Sequence, residues 1–256
     1  MKKSESPPSH RTAWQARPAT VEIDIALPPP FRLLKLRETG NAFAFAQSIA
    51  ASDGAATLVL VGRFDIVEFA AVLEPDEPLR FARRAFYAGM QALTHALSAL
   101  APPQRPISII WPDAIHIDGG LIGGGRLAWP AGADEDAVPD WVVFGALVRT
   151  THLTYDPATP SAALDEQGFS SVSGEDLVAR FSRHLMSSID AWQSVGFEVV
   201  ARNYLHRLET LKGATSSIAA DGDLLLQWRG MADPERRSLR EALRHPSWVD
   251  RMGERA

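Results

Sequence analysis

The alternation of apolar and polar positions sorts most of this chain into strands and helices. Thr57-Leu58-Val59-Leu60-Val61 is a short continuous apolar run closed by Gly62, the pattern of a buried strand. Ile66 to Leu73 follows the bend at Arg63-Phe64-Asp65 and is expected as its antiparallel neighbour. Phe31 to Leu36 reads as an earlier strand ended by Glu38-Thr39-Gly40, with Asn41 as the N-cap of a helix over Phe43 to Ala51. Phe86, Met90, Leu93, Leu97 and Leu100 recur at helical spacing, so a long helix between Pro78 and Pro102 packs one face on a sheet.

Ile107 to Trp111, Ile115 to Asp118, Leu121 to Leu127 and Trp141 to Val148 supply further strands, and the acidic stretch 130–140 reads as an exposed loop. A second loop covers roughly 154–172. Ser173 opens Ser-Gly-Glu-Asp, a helix N-cap with an acidic first turn that favours the helix dipole. Leu177, Phe181, Leu185, Ile189 and Trp192 form the apolar side of that helix; Gly196 breaks it, and Val200, Tyr204, Leu208 and Leu211 mark the next.

Domain boundaries follow from the breaks. Residues 1–30 are expected as a flexible tail, stiffened at its end by Pro28-Pro29-Pro30. Residues 31–212 form the main domain. Past Lys212-Gly213, residues 213–256 make a small piece in which Asp221-Gly222 joins two short strands and Pro234 starts a charged helix, Glu235 to Arg244. That piece is too short to bury a core alone and must dock on the main domain. The fold class is α+β, a mixed sheet packed by helices, and no internal repeat is visible.

Composition narrows the chemistry. The 256 residues are 46% hydrophobic and 22% charged, with a formal net charge of -5. No basic run suggests nucleic acid, and no apolar stretch suggests a membrane. A cytoplasmic protein is the expectation. There is no cysteine, which rules out disulfides, thiolate metal sites and a cysteine acyl-enzyme. His116 and Asp118 form His-x-Asp without a third ligand close in sequence, so no metal site is assigned and a solvated strand face is expected. No Gly-x-Ser-x-Gly element provides a hydrolase nucleophile.

The most informative stretch is Trp111-Pro112-Asp113-Ala114-Ile115 running into Gly119-Gly120-Leu121-Ile122-Gly123-Gly124-Gly125. It resembles the core of the biotin/lipoate protein ligase superfamily, where a strand ends in Lys-Trp-Pro-Asn-Asp and the next carries a lysine before Leu-Ala-Gly. Thr39-Gly40-Asn41 stands where that family has Ser-Thr-Asn, Val142-Val143-Phe144-Gly145-Ala146 resembles its Gly-Ile-Gly-Ile-Asn strand, and Ala219 to Leu226 resembles its C-terminal hairpin. The match spans roughly residues 31–230, mostly as an ordered pattern. It implies a sheet-and-helix fold as in class II synthetase-like ligases. It further implies ATP and biotin or lipoate as cofactor and substrate, a small carboxylic acid or acyl group as ligand, and a biotinyl/lipoyl carrier domain as partner.

The same comparison exposes what is missing. Ile110 occupies the first lysine position and Leu121 that of the catalytic lysine, so no catalytic residue is assigned. Joining a carboxylate to AMP brings two anions together, and one lost donor costs about 3 kcal/mol of transition-state stabilisation. Gly62-Arg63 is the only trace of the family's Gly/Arg-rich loop, and Asp65 has the wrong sign for a phosphate cradle. The candidate pocket comprises Asn41, Arg63, Trp111, Asp113, Gly123, Gly124, Gly145 and Arg149. Arg126 lies five residues past Leu121, so a regular strand turns it to the opposite face unless a bulge among the glycines intervenes. Two readings remain: a degenerate member that keeps the pocket, or an active ligase with substituted arginines (Arg63, Arg126 or Arg149).

Overall fold

The computed structural model describes residues 20–22, 25–152 and 161–252. Its centre is an eight-stranded sheet in the order β1-β2-β3-β4-β8-β7-β6-β5. The strands are β1 (Val21–Glu22), β2 (Arg32–Leu36), β3 (Thr57–Val61), β4 (Ile66–Leu73), β5 (Ile107–Ile110), β6 (Ala114–Ile117), β7 (Gly120–Ala128) and β8 (Val142–Arg149). Only β2 and β3 pair in parallel, joined across helix α1 (Ala42–Asp53); every other pair is antiparallel. β3, β4 and β8 are buried along almost their whole length, and apart from Glu68 in β4 and Arg149 at the end of β8 nearly all apolar, because helices or chain cover both faces of the sheet.

Side-chain alternation assigns the faces. Val67, Phe69 and Ala71 of β4 and Val142, Phe144, Ala146 and Val148 of β8 point to the larger core. That core is closed by α2 (Leu79–Ala82), α3 (Ala85–Ser98), α4 (Gly174–Val195) and α5 (Phe197–Leu205). Gly89 lets α3 approach closely, since a β-carbon there would meet the Phe144 ring. The intervening residues face the other way. Ala70, Val72 and Val143 meet Ala42, Ala46, Ile49 and Ala50 of α1. Asn41 caps α1 as its spacing predicts, its side-chain oxygen accepting from Ala44 N at 2.8 Å.

A three-stranded sheet, ordered β11-β10-β9, is formed by β9 (Ala214–Ile218), β10 (Leu224–Trp228) and β11 (Glu235–Arg237). It docks through Tyr87 Oη, which donates to Gly222 O at 2.6 Å, and through Leu239 in the larger core. The charged helix expected over Glu235 to Arg244 is shorter. Glu235–Arg237 pair with Leu224–Leu226 as a strand, Arg236 is held by Asp221 and Asp223, and only Leu239–Ala242 (α6) is helical, capped by Ser238. Leu208 and Leu211 lie beyond the end of α5, where Ile109 and Leu208 form a bridge instead. The chain then returns to the main sheet, where α7 (Val249–Met252) lies.

The tail expected over residues 1–30 contains β1, which pairs with Leu34 and Lys35 at the open edge of β2. Residues 1–19 and 23–24 of it lie outside the described residues, as do 154–160 of the expected 154–172 loop. No helix among the described residues is long and apolar enough to cross a membrane.

Candidate functional site

The glycine run of β7 shapes the sheet face shared by α1 and α7. Between Ile115 and His116 the β6–β7 register slips, so that Gly123 opposes Ile115 while Leu121 opposes His116. The extra residue is a β-bulge, which reverses the alternation beyond it. Gly123 takes φ +151°, a conformation that L side chains rarely adopt, and a β-carbon there would run into the Leu147 carbonyl. Ile122 and Gly125 therefore both face the larger core, while Leu121, Gly124 and Arg126 all face α1 and α7. The regular-strand expectation that Arg126 opposes Leu121 is corrected by this bulge.

Leu121 is fully buried among Ile66, Ala114, Leu147, Trp248, Val249 and Met252. Ile110 ends the edge strand β5 and is 37% exposed. The chain has four lysines: Lys2, Lys3, Lys35 and Lys212. Lys35 pairs with Glu175 of α4 at 2.5 Å, on the opposite side of the sheet from α1. Lys212 lies in the connection to the small sheet. Among the described residues, no ammonium group reaches the Leu121 face.

The arginines are engaged. Arg63 forks onto Asp65 with bonds of 3.0 and 2.6 Å, and this pairing holds the Asp65 carboxyl below its usual range. Arg126 stacks over the Phe43 ring at 4.2 Å and approaches Glu68 Oε1 at 3.5 Å. Phe43 in turn fills the space above Gly145, where a β-carbon would collide with it. The sequence pattern does not single out Glu68. Its buried carboxylate also accepts from Ala42 N at 3.0 Å, so it neutralises both Arg126 and the N-terminus of α1. The available signal was one acid inside the otherwise apolar β4.

Asp113, Gly124 and Arg149 converge on the C-terminal segment. Ser247 donates to Asp113 through N at 2.8 Å and Oγ at 2.5 Å. Burial outweighs these bonds and pushes the Asp113 carboxyl up to about 6. Trp248 lies on Gly124 and donates from Nε1 to Gly125 O at 2.9 Å. Arg149 Nη2 donates to Met252 O at 2.8 Å, while its buried Nε has no partner. Trp111 is not brought to this group. Its indole packs on the larger core and donates to Tyr87 Oη at 3.3 Å. His116 is buried rather than solvated; Nδ1 bonds with Gly119 O and Nε2 is unpartnered.

Beside Trp248 lies a cavity of about 440 Å³ between Asn41, Phe43 and Arg126 on one side and His245, Pro246 and Val249 on the other. Its walls mix apolar surface with the Asn41 and Gln47 amides, Arg126, Arg244 and His245, and one carboxylate, Asp250.

Residues 27–206 match the model of the biotin/lipoate A/B protein ligase family, more than half the chain. The chain belongs to this family. A biotin protein ligase-like protein of unknown function from Silicibacter sp. TM1040 superposes with a TM-score of 0.75 at 24% identity, covering 86% of this chain and 99% of that one. The Aquifex aeolicus biotin protein ligase, in a complex with biotin and ATP, gives 0.60 at 10% identity, covering 80% and 94%. The Leishmania major biotin protein ligase with biotinyl-5-AMP gives 0.54 at 14%, covering 82% and 100%. At these identities the likeness concerns the fold. No curated protein sequence matches. The family's mixed sheet, its flanking helices and the small C-terminal sheet are thus those expected from the ordered pattern around Trp111-Pro112.

Proposed function

We propose that this ligase-family protein binds a small carboxylic acid or acyl group on the glycine-floored face without adenylating it. The observation that carries the reading is Leu121, buried in an apolar cluster on a face that no described lysine reaches. Glu68 adds to it. A phosphate brought to the α1 N-terminus would meet a carboxylate already bound to Ala42 N and close to Arg126. Preorganised positive charge is the main catalytic resource for joining two anions, and here it is spent internally.

ATP, biotin or lipoate and a carrier domain belong to this proposal as the ligands and partner to test. Neighbours of the same fold hold biotin and ATP. A cytoplasmic setting belongs to it as well. The test mixes purified protein with ATP and biotin, lipoate or octanoate and follows pyrophosphate. The expected result is no turnover above a protein-free control, with acid binding detectable by calorimetry.

The bulge that turns Arg126 onto the Leu121 face favours a second reading, an active ligase with an arginine donor. In that case Arg126→Met abolishes pyrophosphate release that the unaltered protein shows.

A further inference from the structure

The glycine floor is covered by the chain's own residues 246–252, more than a hundred positions downstream of it. We propose that the slot filled by Trp248 is a ligand site in a second state of the protein. A carboxylic acid with an apolar body displaces residues 246–252, the body entering the slot and the carboxylate meeting Arg149. The inference rests on the acid-binding reading above and adds where the acid goes and what it competes with.

The shape of the slot is the first argument. Gly124 leaves a space that a single β-carbon would close against both Trp248 and the Asp113 carbonyl. Leu121, Ile66 and Leu147 supply its apolar walls, and Trp248 is only 1% exposed within it. A flat or chain-like apolar group is what such a slot accepts.

The second argument is the unsatisfied cation. Arg149 spends Nη2 on a neutral carbonyl, Met252 O, and leaves Nε buried and bare. A guanidinium presents a fork that fits the two oxygens of a carboxylate, whereas one carbonyl oxygen satisfies one arm. Asp65 senses the Arg149 charge, but its own carboxylate is held by Arg63.

The third is the slightness of the cover. Its helix, α7, is a single turn. Among the described residues, the polar ties that hold it to the sheet are the Asp113–Ser247 pair, Trp248 Nε1 to Gly125 O, and the Arg149–Met252 bond. An incoming acid replaces the indole contacts with its body and the Met252 carbonyl with its carboxylate. The Asp113–Ser247 pair is the tie it does not replace. The neighbouring 440 Å³ cavity gives the segment somewhere to move.

The test uses the full chain, sodium octanoate as probe and octylamine as the control without a carboxylate. Hydrogen exchange by mass spectrometry follows residues 246–252 and α1. Octanoate is expected to speed exchange in 246–252 at least tenfold and to leave α1 unchanged, with octylamine inert. Trp248→Ala, which vacates the slot, should bind octanoate at least tenfold more tightly by calorimetry, and adding Arg149→Met should remove that gain. Octanoate binding with unchanged exchange and no gain in Trp248→Ala would overturn the slot while leaving the acid-binding reading standing. No binding by either protein would sink both. Should Trp248→Ala fail to fold, exchange in the unaltered protein decides alone.

Discussion

Replacing Leu121 by lysine puts an ammonium group where the resemblance to the ligase family leads one to expect it and where this fold has sealed the sheet. Ile66, Ala114, Leu147, Trp248, Val249 and Met252 surround the position, and Leu121 has no exposed surface. A lysine there either ionises at a large desolvation cost or stays neutral. Keeping it neutral at pH 7 against an unfolded value near 10.4 costs roughly 4–5 kcal/mol, at 1.36 per unit. The folded pKa is depressed, so the penalty is full below that value and fades as pH rises toward the unfolded one. Between pH 7 and pH 9 the loss should shrink by about 2–3 kcal/mol. Urea denaturation of Leu121→Lys and the unaltered protein at both pH values measures it, with Leu121→Met as a volume control expected to lose under about 1.5 kcal/mol. A Leu121→Lys protein as stable as its parent at pH 7 would refute the reasoning. It would mean that the ammonium finds water or an anion, and that the face is open.

Three further outcomes follow from the same geometry. Trp248→Ala should cost about 3–5 kcal/mol in chemical denaturation, or less if residues 246–252 simply detach as a local unit. Asp113 has a folded pKa of about 6, above its ordinary 3.8, so its contribution is greatest below pH 4 and is lost as pH rises through 6. The stability difference between Asp113→Asn and its parent should therefore vary by up to about 3 kcal/mol over pH 4 to 7, in the direction that favours the parent at low pH. Lys35→Met should lose no more than about 1 kcal/mol, since the bridge to Glu175 is a part-exposed pair, and acid binding measured by calorimetry should not change.

Much of this fold was legible because its periodicities are local. The Asn41 cap, the strands β3, β4 and β8, and the helices α3 and α4 all follow from neighbours within a few residues. The local pattern misleads where distant partners decide. Glu235–Arg237 carries helix-compatible residues, yet it pairs with β10 because Asp221 and Asp223 capture Arg236. The face of Arg126 could not be fixed by counting, since one bulged residue reverses the alternation. Glu68 shows no partner in sequence; its roles at α1 and Arg126 exist only once the sheet is assembled. The cover formed by Ser247 and Trp248 was equally hidden, being a contact across more than a hundred residues between a glycine floor and a short polar-flanked turn.

Pyrophosphate release with ATP and a panel of biotin, lipoate and octanoate bears most directly on the absence of a usable ammonium beside Gly123 and Gly124. The account predicts a rate indistinguishable from that of the mixture without protein. Sustained release that Arg126→Met or Arg149→Met eliminates would contradict it and identify the cation doing the lysine's work.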